Sequence, residues 1–187
     1  MKTFMQRGVV LVAFLFLCDV VFAQKTHVLD SVDLNAGISF PDWFTVGARH
    51  WFGQNKIGIN IGSFPNSDGR FKSITVALNY YRHLLGRSKH THQKPWFVQA
   101  GAAYDHLPHE FDRYYFDPHT QEHVGRARVY AGRDLSLSPR AGFSISYGIN
   151  VVVYAKYDDY HDPHRPVAPV STGLDTMFFY KLNGQKG

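Results

Sequence analysis

Between residues 32 and 182 the chain is a succession of segments in which apolar and polar positions alternate, and helical periodicity is nearly absent. Val32, Leu34, Ala36 and Ile38 alternate with Asp33, Asn35, Gly37 and Ser39, the period of two that sends successive side chains to opposite faces of a strand. Phe44, Val46 and Ala48 repeat the pattern against Thr45, Gly47 and Arg49. After the turn residues Gly53, Gln54 and Asn55, Ile57, Ile59 and Ile61 repeat it against Lys56, Gly58, Asn60 and Gly62. Turn chemistry at 65–69 separates this from Ile74, Val76, Leu78 and Tyr80. The second half continues with Trp96, Val98, Ala100, Ala102 and Tyr104, then a less regular run at 124–134 in which Arg126 and Arg128 share a face with Tyr130. Ala141, Phe143, Ile145, Tyr147, Ile149, Val151 and Val153 oppose Arg140, Gly142, Ser144, Ser146, Gly148 and Asn150; a final run carries Leu174, Thr176, Phe178, Tyr180 and Leu182. Eight strands result, or nine or ten if extra turns break 134–139 and 148–151.

The polar face decides what such a meander builds. A soluble sandwich or barrel turns its apolar face inward and clothes the other with frequent Lys, Glu and Asp. Here the polar face is mostly Gly, Ser, Thr, Asn and Gln, with isolated charges at Asp33, Arg49, Lys56, Asp105, Arg126, Arg128, Arg140 and Asp175. That composition suits a lumen, where small residues leave room and sparse opposite charges pair as an internal network. The expected fold is therefore all-β, an antiparallel up-and-down transmembrane β-barrel of eight strands with its apolar face toward lipid. Aromatic residues cluster near strand ends: Trp43, Phe44, Trp51, Phe52, Tyr80, Tyr81, Trp96, Phe97, Tyr104, Tyr147, Tyr154, Tyr157, Phe178, Phe179 and Tyr180. They read as interfacial girdles, or simply as the general preference of aromatics for strands.

Composition narrows the rest. The chain has 187 residues, 19% charged and 16% aromatic, which is one domain's worth and too aromatic for a linker. Residues 1–23 read as a cleaved signal peptide, with Lys2 and Arg7 ahead of an apolar stretch at 9–17 and Val21-Phe22-Ala23 before Gln24. A membrane anchor is the competing reading, but Asp19 follows an apolar run shorter than the roughly 18 residues a span needs. Cys18 would leave with the signal, so the barrel domain, 24–187, folds without disulfides. With both termini periplasmic, the connections near 53–55, 85–94 and 135–139 face the periplasm, and those at 40–42, 65–70, 106–122 and 158–170 face outward.

The chain at this point resembles the small eight-stranded OmpA- and OmpX-type barrels of the Gram-negative outer membrane. Phe44-Thr45-Val46-Gly47-Ala48-Arg49, Lys94-Pro95-Trp96-Phe97-Val98 and the segment 132–138 look like strands of such barrels, and 173–180 is similar to their C-terminal assembly signal, here followed by 181–187. The resemblance implies residence in the bacterial outer membrane, contact with its lipid and lipopolysaccharide, insertion by the barrel-assembly machinery, and life as a monomer or as a subunit of an envelope complex. A barrel of this size is filled by its own side chains, so a general diffusion pore is not expected.

The remaining chemistry lies in the connections. His106-Leu107-Pro108-His109 and His161-Asp162-Pro163-His164 share spacing and a proline, with carboxylates nearby. Imidazole with carboxylate suits Zn(II), Cu(II) or Ni(II), which makes His106, His109, His161 and His164 candidate metal ligands; the other reading is a hydrophilic rim with no dedicated cofactor. A lipid A-modifying enzyme would need Ser, His and an acid converging at the outer rim, and Ser39, Ser63, Ser67 and Ser171 carry no compact motif of that kind. Nucleic-acid binding is disfavoured, because the basic residues are not gathered with stacking aromatics on an accessible sheet. The leading expectation is a structural or interaction role exercised through His- and acid-rich outer loops.

Overall fold

A computed structural model of the protein describes residues 31–63, 73–88, 90–91, 93–108, 121–157 and 170–182. The expected signal segment, 1–23, and the expected turn at 65–69 lie outside the described residues. Eight antiparallel strands follow one another in sequence order: β1 (Ser31–Phe40), β2 (Trp43–Phe52), β3 (Asn55–Ser63), β4 (Ile74–Leu85), β5 (Trp96–Pro108), β6 (Gln121–Ser136), β7 (Ala141–Tyr157) and β8 (Val170–Lys181). Each pairs with its neighbour and β1 pairs with β8, so the sheet closes into an up-and-down barrel without free edges. The two places where the strand count was open resolve physically. β6 runs to Ser136 and bends at 137–140, while 148–151 lies within an unbroken β7.

Period two governs exposure through the body of the barrel, with departures at the start of β2 and beyond 150 in β7. In β3, Lys56, Gly58, Asn60 and Gly62 are buried while Ile57, Ile59 and Ile61 are exposed; in β8, Gly173, Asp175, Met177, Phe179 and Lys181 are buried and their neighbours exposed. The barrel is thus polar within and apolar without, the inverse of a water-soluble core. One register shift, where Arg126 pairs with Val152 and Gly125 with Tyr154, puts an extra residue, Val153, into β7. The end bearing 31 and 182 is joined by turns at 53–54 and 137–140 and by 86–95. At the opposite end only the β1–β2 connection, 41–42, is fully described.

Alternation also corrects the reading of the aromatics. Trp51, Tyr81, Phe97 and Phe179 are buried in the lumen, not set in an outer belt. Each has an aromatic neighbour in sequence (Phe52, Tyr80, Trp96, Phe178), and two adjacent strand residues must face opposite ways. Trp96, Tyr104, Tyr147, Tyr154, Phe178 and Tyr180 do face outward, as do Trp43 and Phe44, whose shared exposure reflects a bulge where both pair with Ser63.

Candidate functional site: a two-storey ionic interior

The lumen holds five carboxylates and five Lys or Arg side chains among the described residues, all buried. They divide into two groups at different heights.

Near the chain termini, Asp33 is the hub. It accepts the Trp51 indole N–H at 2.7 Å and lies 3.6 Å from the Arg49 guanidinium and 3.8 Å from the Lys56 ammonium. Lys56, with no exposure at all, donates to Asp134 at 2.6 Å and sits 3.7 Å from the centre of the Trp51 ring. The ammonium thus has carboxylates for charge and an indole face for the rest of its coordination sphere. Lys181 approaches the same ring at 5.1 Å and hydrogen-bonds Gln93. His83 packs between Trp51 and Phe97, with centroids 4.8 and 5.2 Å away, and its Nδ1 donates to the Lys94 carbonyl at 2.6 Å. A carbonyl only accepts, so that bond fixes the proton on Nδ1.

Toward the other end, Arg126 forms a fork on Asp105 through Nε and Nη2, both at 2.6 Å, and also donates to Asp42. Such bidentate pairing is the strongest arrangement open to these groups. Arg128 lies 3.0 Å from Asp42 and 3.9 Å from Asp175. Thr75 donates to Asp105 at 2.7 Å and Ser39 to Asp175 at 2.5 Å, which leaves each carboxylate held by more than charge. Below Arg128, Tyr130 donates to Asn150 at 2.8 Å.

Where the two groups meet, Asn35, Asn60, Gln99, Ser144 and Ser146, together with Arg49, Asp175, Tyr81 and Met177, line a cavity of about 10 Å³, the space of one water molecule. The Asn35 amide and the Asn60 carbonyl oxygen have no hydrogen-bond partner among the described residues, so this level is fit for solvent and not for dry packing.

Of the residues expected in the lumen, Asp33, Arg49 and Lys56 meet in the first group and Asp105, Arg126, Arg128 and Asp175 in the second. Arg140 does not join them. It sits exposed in the 137–140 bend, because β7 begins only at Ala141 and the alternation extrapolated one residue too far. Asp42, Asp134, Lys181 and His83 were not foreseen as members. Asp134 and Lys181 carried a usable signal, since each lies an even number of residues from an inward neighbour, Arg128 or Asp175.

The histidines divide as well. His109, His161 and His164 lie outside the described residues. His106 points outward on β5 directly opposite His123 of β6; their rings stack at 5.0 Å, and the Tyr104 hydroxyl meets His123 Nδ1 at 2.7 Å. Sequence spacing pointed His106 toward His109, whereas strand pairing supplies His123. Of the rim serines, Ser39 is committed to Asp175, Ser63 donates to the Ser73 carbonyl at 2.6 Å, and Ser67 lies outside the described residues.

No family model, curated protein or solved structure matches the chain.

Proposed function

We propose that the protein is an integral outer-membrane barrel, related to the small OmpA- and OmpX-type barrels, whose filled interior makes it a rigid mount for its outer connections and not a conduit. The observation carrying this reading is the outward face. Ile38, Val46, Ile59, Leu78, Ile149 and Val153 are each exposed, on five different strands, and form a continuous apolar wall far larger than a water-facing monomer tolerates. Lipid is the solvent that suits such a wall, and a closed barrel leaves no backbone group unpaired within it.

Two measurements test the reading. The protein should stay with membranes through washing in detergent-free buffer, and unboiled and boiled samples should migrate differently in detergent gels. Release into buffer, or identical migration, would count for a soluble barrel instead.

A second reading has its own observation, the His106–His123 pair. Opposed positions on antiparallel strands bring side chains close enough to share an ion. In the tautomer whose Nδ1–H donates to the Tyr104 phenol oxygen, His123 keeps its Nε2 lone pair for a metal, the arrangement usual in histidine sites. Divalent copper or zinc would be the guest. Calorimetry on His106→Asn and His123→Asn should show binding lost in both; unchanged binding removes this reading.

A further inference from the structure

Among residues whose side chains are described, no carboxylate faces outward: Asp33, Asp42, Asp105, Asp134 and Asp175 are all buried. The exposed cations gather at the end that carries the termini, where Arg82, Arg87, Lys94, Arg133 and Arg140 all reach the surface. Trp96 stands exposed among them, and the Arg133 guanidinium lies over its ring at 5.2 Å.

Register explains the grouping. Trp96 pairs with Arg133 of β6, and the next outward residue on β5, Val98, pairs with Arg82 of β4. Two arginines therefore flank the start of β5 from either side, about 12 Å apart across two strand spacings and a two-residue offset. Both side chains are long enough to converge on one group in that gap. From Trp96 the outward face of β5 continues as Val98, Ala100 and Ala102, small apolar positions with Leu78 and Val129 on the adjoining strands, which makes a smooth shallow track.

We propose that Arg82, Trp96 and Arg133 form a seat for the phosphate headgroup of an anionic phospholipid, whose acyl chains lie along the β5 track. The inference rests on the membrane reading above. Guanidinium groups bind phosphate through paired hydrogen bonds, and a tryptophan at the apolar boundary fixes the depth of the headgroup. The terminal end with its tight turns corresponds to the periplasmic side of such barrels, where the leaflet is phospholipid. With no exposed carboxylate described beside the seat, nothing there repels a phosphodiester.

The test uses protein purified from membranes in detergent, mixed with equal amounts of phosphatidylglycerol and phosphatidylcholine of matched chains, and native mass spectrometry of the bound lipid. Phosphatidylglycerol should be retained preferentially. Arg82→Gln and Arg133→Gln should each lower that preference about five-fold, the effect of one basic group at an anionic surface. Lys156→Gln, exposed at the opposite end of the barrel, should leave it intact. Equal retention of the two lipids by the wild type, or an undiminished preference in the double arginine variant, overturns the seat. The same samples run boiled and unboiled separate the two failures. A retained gel shift with no lipid preference sinks the seat alone, whereas loss of the shift in the wild type sinks the membrane reading and the seat with it.

Discussion

Lys56 shows how a buried charge is made tolerable. Its ammonium is satisfied by Asp134, Asp33 and the Trp51 face; without it Asp33 keeps Arg49 at 3.6 Å, whereas Asp134 loses its 2.6 Å partner. Lys56→Met should cost about 3–5 kcal/mol, because Asp134 is left as an uncompensated buried carboxylate. Pairing it with Asp134→Leu should recover much of the loss. Urea unfolding followed by tryptophan fluorescence reads both, and a single variant with the wild-type midpoint would count against the network. Lys56 itself was legible in the sequence, since strict alternation with Ile57 and Ile59 assigns its face. Asp42 was not, because a two-residue connection has no period to read; it is the 41–42 turn that drops its carboxylate between Arg126 and Arg128. Arg140 failed for the opposite reason, a period continued past the strand's first residue.

At the level of strands, the lumen glycines are seats for rings. Tyr130, Gly148 and Gly173 form one row across β6, β7 and β8, and a Cβ on either glycine would sit 2.6 Å from a carbon of the tyrosine ring. Phe179 uses Gly142 in the same way. The sequence showed a small-residue face but not which large residue each gap receives, since that depends on inter-strand register. Gly173→Val should displace Tyr130 and break its bond to Asn150, at a cost of about 1–3 kcal/mol from overpacking. Tyr130→Phe, which keeps the ring in place, should cost only about 1 kcal/mol for the hydrogen bond. Thermal melts of the two variants check the order; the reverse order would mean the ring is not what the glycines accommodate.

For the molecule as a whole, a barrel of about eight strands with inside-out polarity was readable from period two together with the small, sparsely charged polar face, while the exact strand count and the pairing of charges required the third dimension. At the Asn35 level, where the two ion-paired storeys meet, the side chains leave room for about one water molecule. Proteoliposomes carrying the protein should therefore not admit sugars in a swelling assay, and rapid swelling would show that the plug opens. The long-range reach of these interior ion pairs and hydrogen bonds has another consequence. Lys56 and Asp134 are 78 residues apart, Asp42 and Arg126 84, Ser39 and Asp175 136. No single hairpin can form these contacts. A sheet that closed two residues out of register would keep every apolar side chain outside, because a slip of two preserves the alternation. The outward apolar face could not tell that barrel from the correct one. The interior would, since Asp33 would no longer lie opposite Lys181 across the β1–β8 seam. The buried charges thus act as an error check on closure, penalising the one class of misfolded barrel that the hydrophobic pattern is blind to.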